Sequence, residues 1–71
     1  MKVIYDSEAD TLDLIFRDGL VAESDELRDG IIIDYDKKGR IVSVEVLDAS
    51  RHVLEPQSFK YELKVPKAAG E

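Results

Sequence analysis

Between residues 2 and 47 the chain is a series of short strand-like runs, two of them alternating between apolar and polar residues, that turn signals interrupt at short intervals. Period-two alternation puts successive side chains on opposite faces of a strand, so this feature constrains the fold most. Residues 11–16 set Leu12, Leu14 and Phe16 on one side and Thr11, Asp13 and Ile15 on the other. Residues 40–47 set Val42, Val44 and Val46 against Ser43 and Glu45. Ile31, Ile32 and Ile33 lead into Asp34 and Tyr35 and form the most β-branched stretch. Residues 2–6 are β-prone through Val3, Ile4 and Tyr5, and residues 21–27 make a weaker, more polar run.

The punctuation agrees with strands. Asp18-Gly19 and Asp29-Gly30 each separate two such runs, and Asp-Gly suits a type I′ turn, whose central residues both take positive φ. Lys37-Lys38-Gly39 fits a longer hairpin loop with Gly39 left-handed, and residues 7–10 form a further turn. Parallel pairing needs a crossover of a dozen or more residues, which these turns do not provide. The expected fold is mainly β, at the border of α+β. It is an antiparallel five-stranded meander over residues 1–55 with a C-terminal arm over 56–71. Residues 48–55 suggest a short helical turn with Asp48 as N-cap and Pro56 just beyond. Phe59, Tyr61, Leu63 and Val65 alternate with Lys60, Glu62 and Lys64, which favours a sixth strand over a helix in the arm.

A single sheet must cover its apolar face, and a short turn is too small for five strands. A chain of 71 residues without disulfides is marginal at this size. The expectation is a homodimer, with sheets packed face to face or arms exchanged.

Composition narrows the function. There is no cysteine, hence no disulfide framework, thiolate metal site or thiol nucleophile. No apolar run approaches the ~18 residues of a membrane span, and the start reaches Asp6 too soon for a secretory signal. The expected compartment is the cytoplasm, with no membrane partner. Ten bases against sixteen acids leave a net charge of -6, which opposes nucleic-acid binding despite Lys37, Lys38, Arg40 and the basic residues of the tail. Residues 1–36 hold eleven acids against Lys2, Arg17 and Arg28, whereas residues 37–71 hold seven bases against five acids. The first part is thus -8 and the second +2, summing to -6. Such asymmetry marks either a solvated face or an acidic surface for a basic partner.

Few residues form a chemical constellation. Asp6, Glu8 and Asp10, with Asp13 nearby, are oxygen ligands of the kind that hard divalent cations take. The simpler reading is a turn in which Asp and Ser bind local backbone amides. Asp34, Asp36, Gly39 and Glu45 fall at positions one, three, six and twelve of a calcium loop. Lys38 at the fifth position and strand-like flanks argue for a hairpin instead. His52 stands near Ser50 and Asp48, but spacing alone makes no triad.

Tyr5-Asp6, Glu8-Ala9-Asp10 and Leu12, followed by Val21-Ala22-Glu23-Ser24, resemble the opening of a small prokaryotic family, domain of unknown function 2283. The run from Asp29 through Asp36, then Gly39-Arg40-Ile41-Val42, Glu45, Leu47 and Ala49-Ser50, resembles its second half. The chain departs at Ser7, Asp13 and Ser43, where proline, an aromatic and glycine are usual. The resemblance implies no catalytic residues and no cofactor. For members encoded beside a small toxin-like protein, it implies an antitoxin-like role.

The leading expectation is a non-enzymatic protein-interaction module with Glu23, Asp25, Glu26 and Asp29 facing a basic partner. The alternative is a divalent-metal or small-ligand protein using the acidic turn, with Asp6, Glu8 and Asp10 as ligands.

Overall fold

The computed structural model describes residues 1–67. Five antiparallel strands form one sheet: β1 (Lys2–Asp6), β2 (Thr11–Ile15), β3 (Glu23–Arg28), β4 (Ile31–Tyr35) and β5 (Ile41–Val46). One 3-10 turn, Ala49–Arg51, follows. The mainly β, all-antiparallel class is as the alternation requires.

The strand order corrects the meander. It is β1-β2-β5-β4-β3, so β2 lies beside β5 rather than β3. Leu12 faces Val46 and Leu14 faces Val44 across that junction. Strands β3, β4 and β5 follow one another as hairpins, and the segment between β2 and β3 crosses to the far edge, a Greek-key connection. The physical reason lies in composition. All six residues of β3 (ESDELR) are exposed. A meander would put this polar strand inside the sheet, between β2 and β4. The edge leaves its acids in water and gives the interior position to the apolar β5. The crossing segment is tied at both ends: Phe16 N donates to Val42 O (2.7 Å) and Ala22 N to Tyr35 O (2.7 Å).

The turns follow from this order. Gly19 joins no hairpin and does not take positive φ, whereas Gly30 (φ 82°) and Gly39 (φ 78°) do. Asp29 keeps negative φ, so Asp29-Gly30 is not type I′. A register shift between Glu26 and Arg28 takes up the difference.

The register sorts the side chains. Val3, Tyr5, Leu12, Leu14, Ile31, Ile33, Val44 and Val46 share one face. Ile4, Asp13, Ile15, Ile32, Asp34, Ser43 and Glu45 share the other. The second face is partly polar. Asp34 accepts hydrogen bonds there from Ser24 Oγ on β3 and Ser43 Oγ (2.8 Å) on β5. The first face is apolar across four strands, with Glu23, Asp25 and Arg28 at its β3 margin. Only Leu12, Val42 and Ala49 are buried among the described hydrophobic residues.

The C-terminal segment departs from two expectations. The helix over 48–55 reduces to the single 3-10 turn, and Asp48, in the left-handed region (φ 50°), makes no side-chain cap. No strand forms over residues 59–65. Pro56, Gln57 and Phe59 instead line a shallow groove with Val3, Tyr5 and Ser7 beside β1. The arm beyond residue 67 lies outside the described residues. No described helix is long and apolar enough to cross a membrane.

The topology predicts opposite effects at two glycines. A Cβ at Gly30 would sit 3.3 Å from Leu47 O at positive φ, whereas one at Gly19 meets nothing within 4 Å. Gly30→Ala is expected to lower Tm by roughly 5–10 °C, the effect of about 1–2 kcal/mol in a small domain. Gly19→Ala should leave Tm unchanged or slightly raised. Thermal melts followed by circular dichroism check both, and a comparable loss at Gly19 would favour the meander.

Candidate functional site

The densest polar constellation joins two segments forty residues apart. Asp10, at φ 53°, ends the first turn. Its carboxylate accepts from Ser50 Oγ (2.7 Å), Ser50 N (3.1 Å) and Tyr5 OH (2.7 Å), and its carbonyl accepts from Ala49 N (2.8 Å). Asp10 therefore serves the 3-10 turn in the place that Asp48 was expected to fill. Ser50 N, the amide an N-cap would bind, is already taken. These hydrogen bonds, with those of Ser50 foremost and Tyr5 next, hold the Asp10 carboxyl below the usual carboxylate range. The same contact raises the Tyr5 phenol.

Asp6 behaves as the turn reading requires, accepting from Glu8 N (3.0 Å) and Ala9 N (3.2 Å). Asp10 does not, because its partners are distant in sequence. Two of the three proposed metal ligands thus carry hydrogen bonds that shape the fold, and Glu8 is exposed. Among the described residues, no group of three or more His, Asp or Glu side chains is placed to hold a metal ion.

The residues of the calcium-loop spacing separate in the same way. Asp36 accepts from Lys38 N (2.9 Å), Arg40 N (2.9 Å) and Arg40 Nε (2.9 Å). These contacts close the β4–β5 hairpin and lower its carboxyl, the Arg40 amide contributing most. Asp34 is bound by the two serines, and Glu45 lies on the sheet opposite Asp13. Ser50 Oγ is committed to Asp10, so Ser50, His52 and Asp48 form no relay.

Glu23, Asp25, Glu26 and Asp29 lie on and just beyond β3, all exposed. They do not form one face. Asp25 pairs with Ile33 and Glu26 with Ile32, which point to opposite sides. What the four share is the free edge of the sheet. Glu26 Oε2 also accepts from Gly30 N (3.1 Å) and so steadies the turn. The ion pair among the described residues is Arg40–Asp36.

Reasoning from the sequence missed two groups. One is the reach of Asp10 to Ala49 and Ser50; the signal was that both ends fall in the family-like blocks. The other is Glu45 on the partly polar face. Burial first, then the charges of Asp13 and Asp34, raise its carboxyl above the ordinary value. Period two places Asp13 and Glu45 on strands, but only the β2–β5 register makes them neighbours.

The two carboxylates give opposite pH behaviour. Asp10, lowered on folding, stabilises the fold above its unfolded pKa, and this is lost as pH falls through the folded value. Asp10→Asn should lower Tm at neutral pH and remove part of the acid-induced loss. Ser50→Ala should lower it by roughly 5 °C through one lost hydrogen bond. Glu45, raised on folding, opposes folding while ionised and ceases to as acid protonates it. Glu45→Gln should therefore raise Tm at pH 7, with the gap to the parent closing as pH falls through the raised folded value into the usual carboxylate range. A gap that widens in acid would contradict the burial of Glu45.

Residues 2–50 match the family model described as a protein of unknown function (DUF2283). An uncharacterized protein of Methanocaldococcus jannaschii is 37% identical over 51 residues, covering 72% of this chain and 43% of the relative. The chain thus spans less than half the length of that curated relative. No solved structure matches. The matched segment contains all five strands, the Asp10 turn and its partners Ala49 and Ser50. With the match covering most of its length, the chain belongs to the DUF2283 family.

Proposed function

We propose that the chain is a non-enzymatic protein-interaction module that takes a basic protein partner along the β3 edge, in the manner of an antitoxin. One observation carries the reading: Glu23, Asp25, Glu26 and Asp29 line a free, fully exposed strand edge with no ion-pair partner among the described residues. Structural demand explains part of this, since charge on an edge strand deters pairing with other chains. It does not require four acids within seven residues and no base but Arg28. Such an edge steers a basic surface toward it and discriminates by charge. Four of the groups that the sequence singled out are occupied in holding turns: Ser50, Asp6, Asp10 and Asp36 each have structural partners.

The test is capture from nuclease-treated lysate by tagged protein, with the parent and an Asp25→Lys, Asp29→Lys variant compared. The reading predicts one stoichiometric small basic protein, retained by the parent. Its retention should fall about tenfold or more in the variant and decline with ionic strength. Equal retention by both would contradict the edge assignment. A rise in Tm on adding Ca²⁺ or Mg²⁺ would favour the acidic turn at residues 6–10 as a ligand site instead.

A further inference from the structure

We infer that a second copy of this chain packs on the apolar face of the sheet, giving a two-layer sandwich. The inference rests on the reading as an interaction module and names the occupant of its largest open surface.

The face is covered only in part: Leu12 and Val42 are buried, and Pro56, Gln57 and Phe59 line a groove with Val3 and Tyr5 at its β1 margin. Leu14, Ile31, Ile33, Val44 and Val46 are all only half-buried in a single chain, although they belong to the three inner strands. The accessible surface is 6061 Å², whereas a folded monomer of this mass exposes about 4,500 Å². The arm contributes to the excess, its Phe59, Tyr61, Leu63 and Val65 being 61%, 76%, 72% and 66% exposed. Five strands at ~4.8 Å spacing and about five residues at ~3.3 Å rise give a face of roughly 24 by 17 Å. That is about 400 Å² in plan, half the ~800 Å² per partner of a standard interface, so the contact belongs to the weak, concentration-dependent class.

Shape and charge point to a second copy as the occupant. The described residues contain one 3-10 turn and no helix that could serve as a second layer. A broad apolar sheet face is matched by another such face at about 10 Å spacing, the geometry of aligned sandwiches. The molecule carries a net -6, yet Leu14, Ile31, Ile33, Val44 and Val46 bring no charge into the contact. Glu23, Asp25 and Arg28 stand at its margin. A two-fold axis along the strand direction sets the β3 of each copy over the β1 of the other. It thereby keeps the two acidic edges apart and at the rim, free for another partner.

The chain has no native cysteine, so single substitutions report cleanly. Val44→Cys places a thiol on the central strand of the apolar face, and Ile32→Cys places one on the opposite face. Sedimentation equilibrium of the parent is expected to give twice the 8.0 kDa of one chain. At ~100 µM, Val44→Cys should react with a maleimide at least about tenfold more slowly than Ile32→Cys, the gap closing on dilution as mass action separates the copies. Three results would overturn the inference: a single-chain mass at ~0.5 mM, equal thiol rates at all concentrations, or a dimer whose Val44→Cys thiol stays open. The last would assign association to the arm. A single-chain mass with the basic protein still captured would end this inference and leave the proposed function standing. A dimer that captures nothing basic would do the reverse.

Discussion

The pairing of β2 with β5 is the contact on which the rest of the structure depends. It joins two units that are each local in sequence, the β1–β2 hairpin and the β3–β4–β5 run. Neither unit offers many strands, and isolated hairpins are marginal in water. Leu12 against Val46 and Leu14 against Val44 make the junction apolar on one face, and Asp13 against Glu45 makes it polar on the other. Because side chains alternate, a slip of one residue would exchange the two faces. Register is therefore guarded at both ends. Asp10 grips Ala49 and Ser50 just past β5, and Val42 O accepts from Phe16 N and, at 3.4 Å, from Arg17 N as β2 ends.

The same junction draws together the two ends of the segment that matches the family. Tyr5, Asp10, Ala49 and Ser50 form one hydrogen-bonded unit across the two ends of the matched segment. Ala49 is fully buried where the 3-10 turn meets the first turn, which leaves no room for a larger side chain. Asp6 and Asp36 do similar work in a single turn each, by binding amides two to four residues away. Carboxylates that look in sequence like ligands are thus backbone acceptors. That use of acid is suited to a chain with little core, since a charged acceptor strengthens each hydrogen bond it receives.

The existence and faces of the strands were legible in the sequence because period two is a local signal. Leu12, Leu14, Val42, Val44 and Val46 fall on the apolar face as their spacing requires. The order of the strands was not legible, because Asp18-Gly19 has the composition of a hairpin turn wherever it stands. Only the polarity of residues 23–28 hinted that this run belongs at an edge. Asp48 shows the same limit: it has the character of an N-cap, yet Asp10 occupies the amide it would bind. The arm alternates like a strand, but alternation supplies no neighbour, and residues 59–65 pair with nothing in the described chain. Of the candidate site, the acids on β3 were readable by composition, while the Asp13–Glu45 contact required knowledge of the pairing.

A cross-strand NOE experiment on the labelled protein tests the central pairing most directly. The structure predicts Hα–Hα and amide contacts linking residues 12–15 to residues 43–46, and none linking them to residues 23–28. Contacts between residues 12–15 and 23–28 would restore the simple meander. They would dissolve both the Asp10 clamp and the apolar face built on β5.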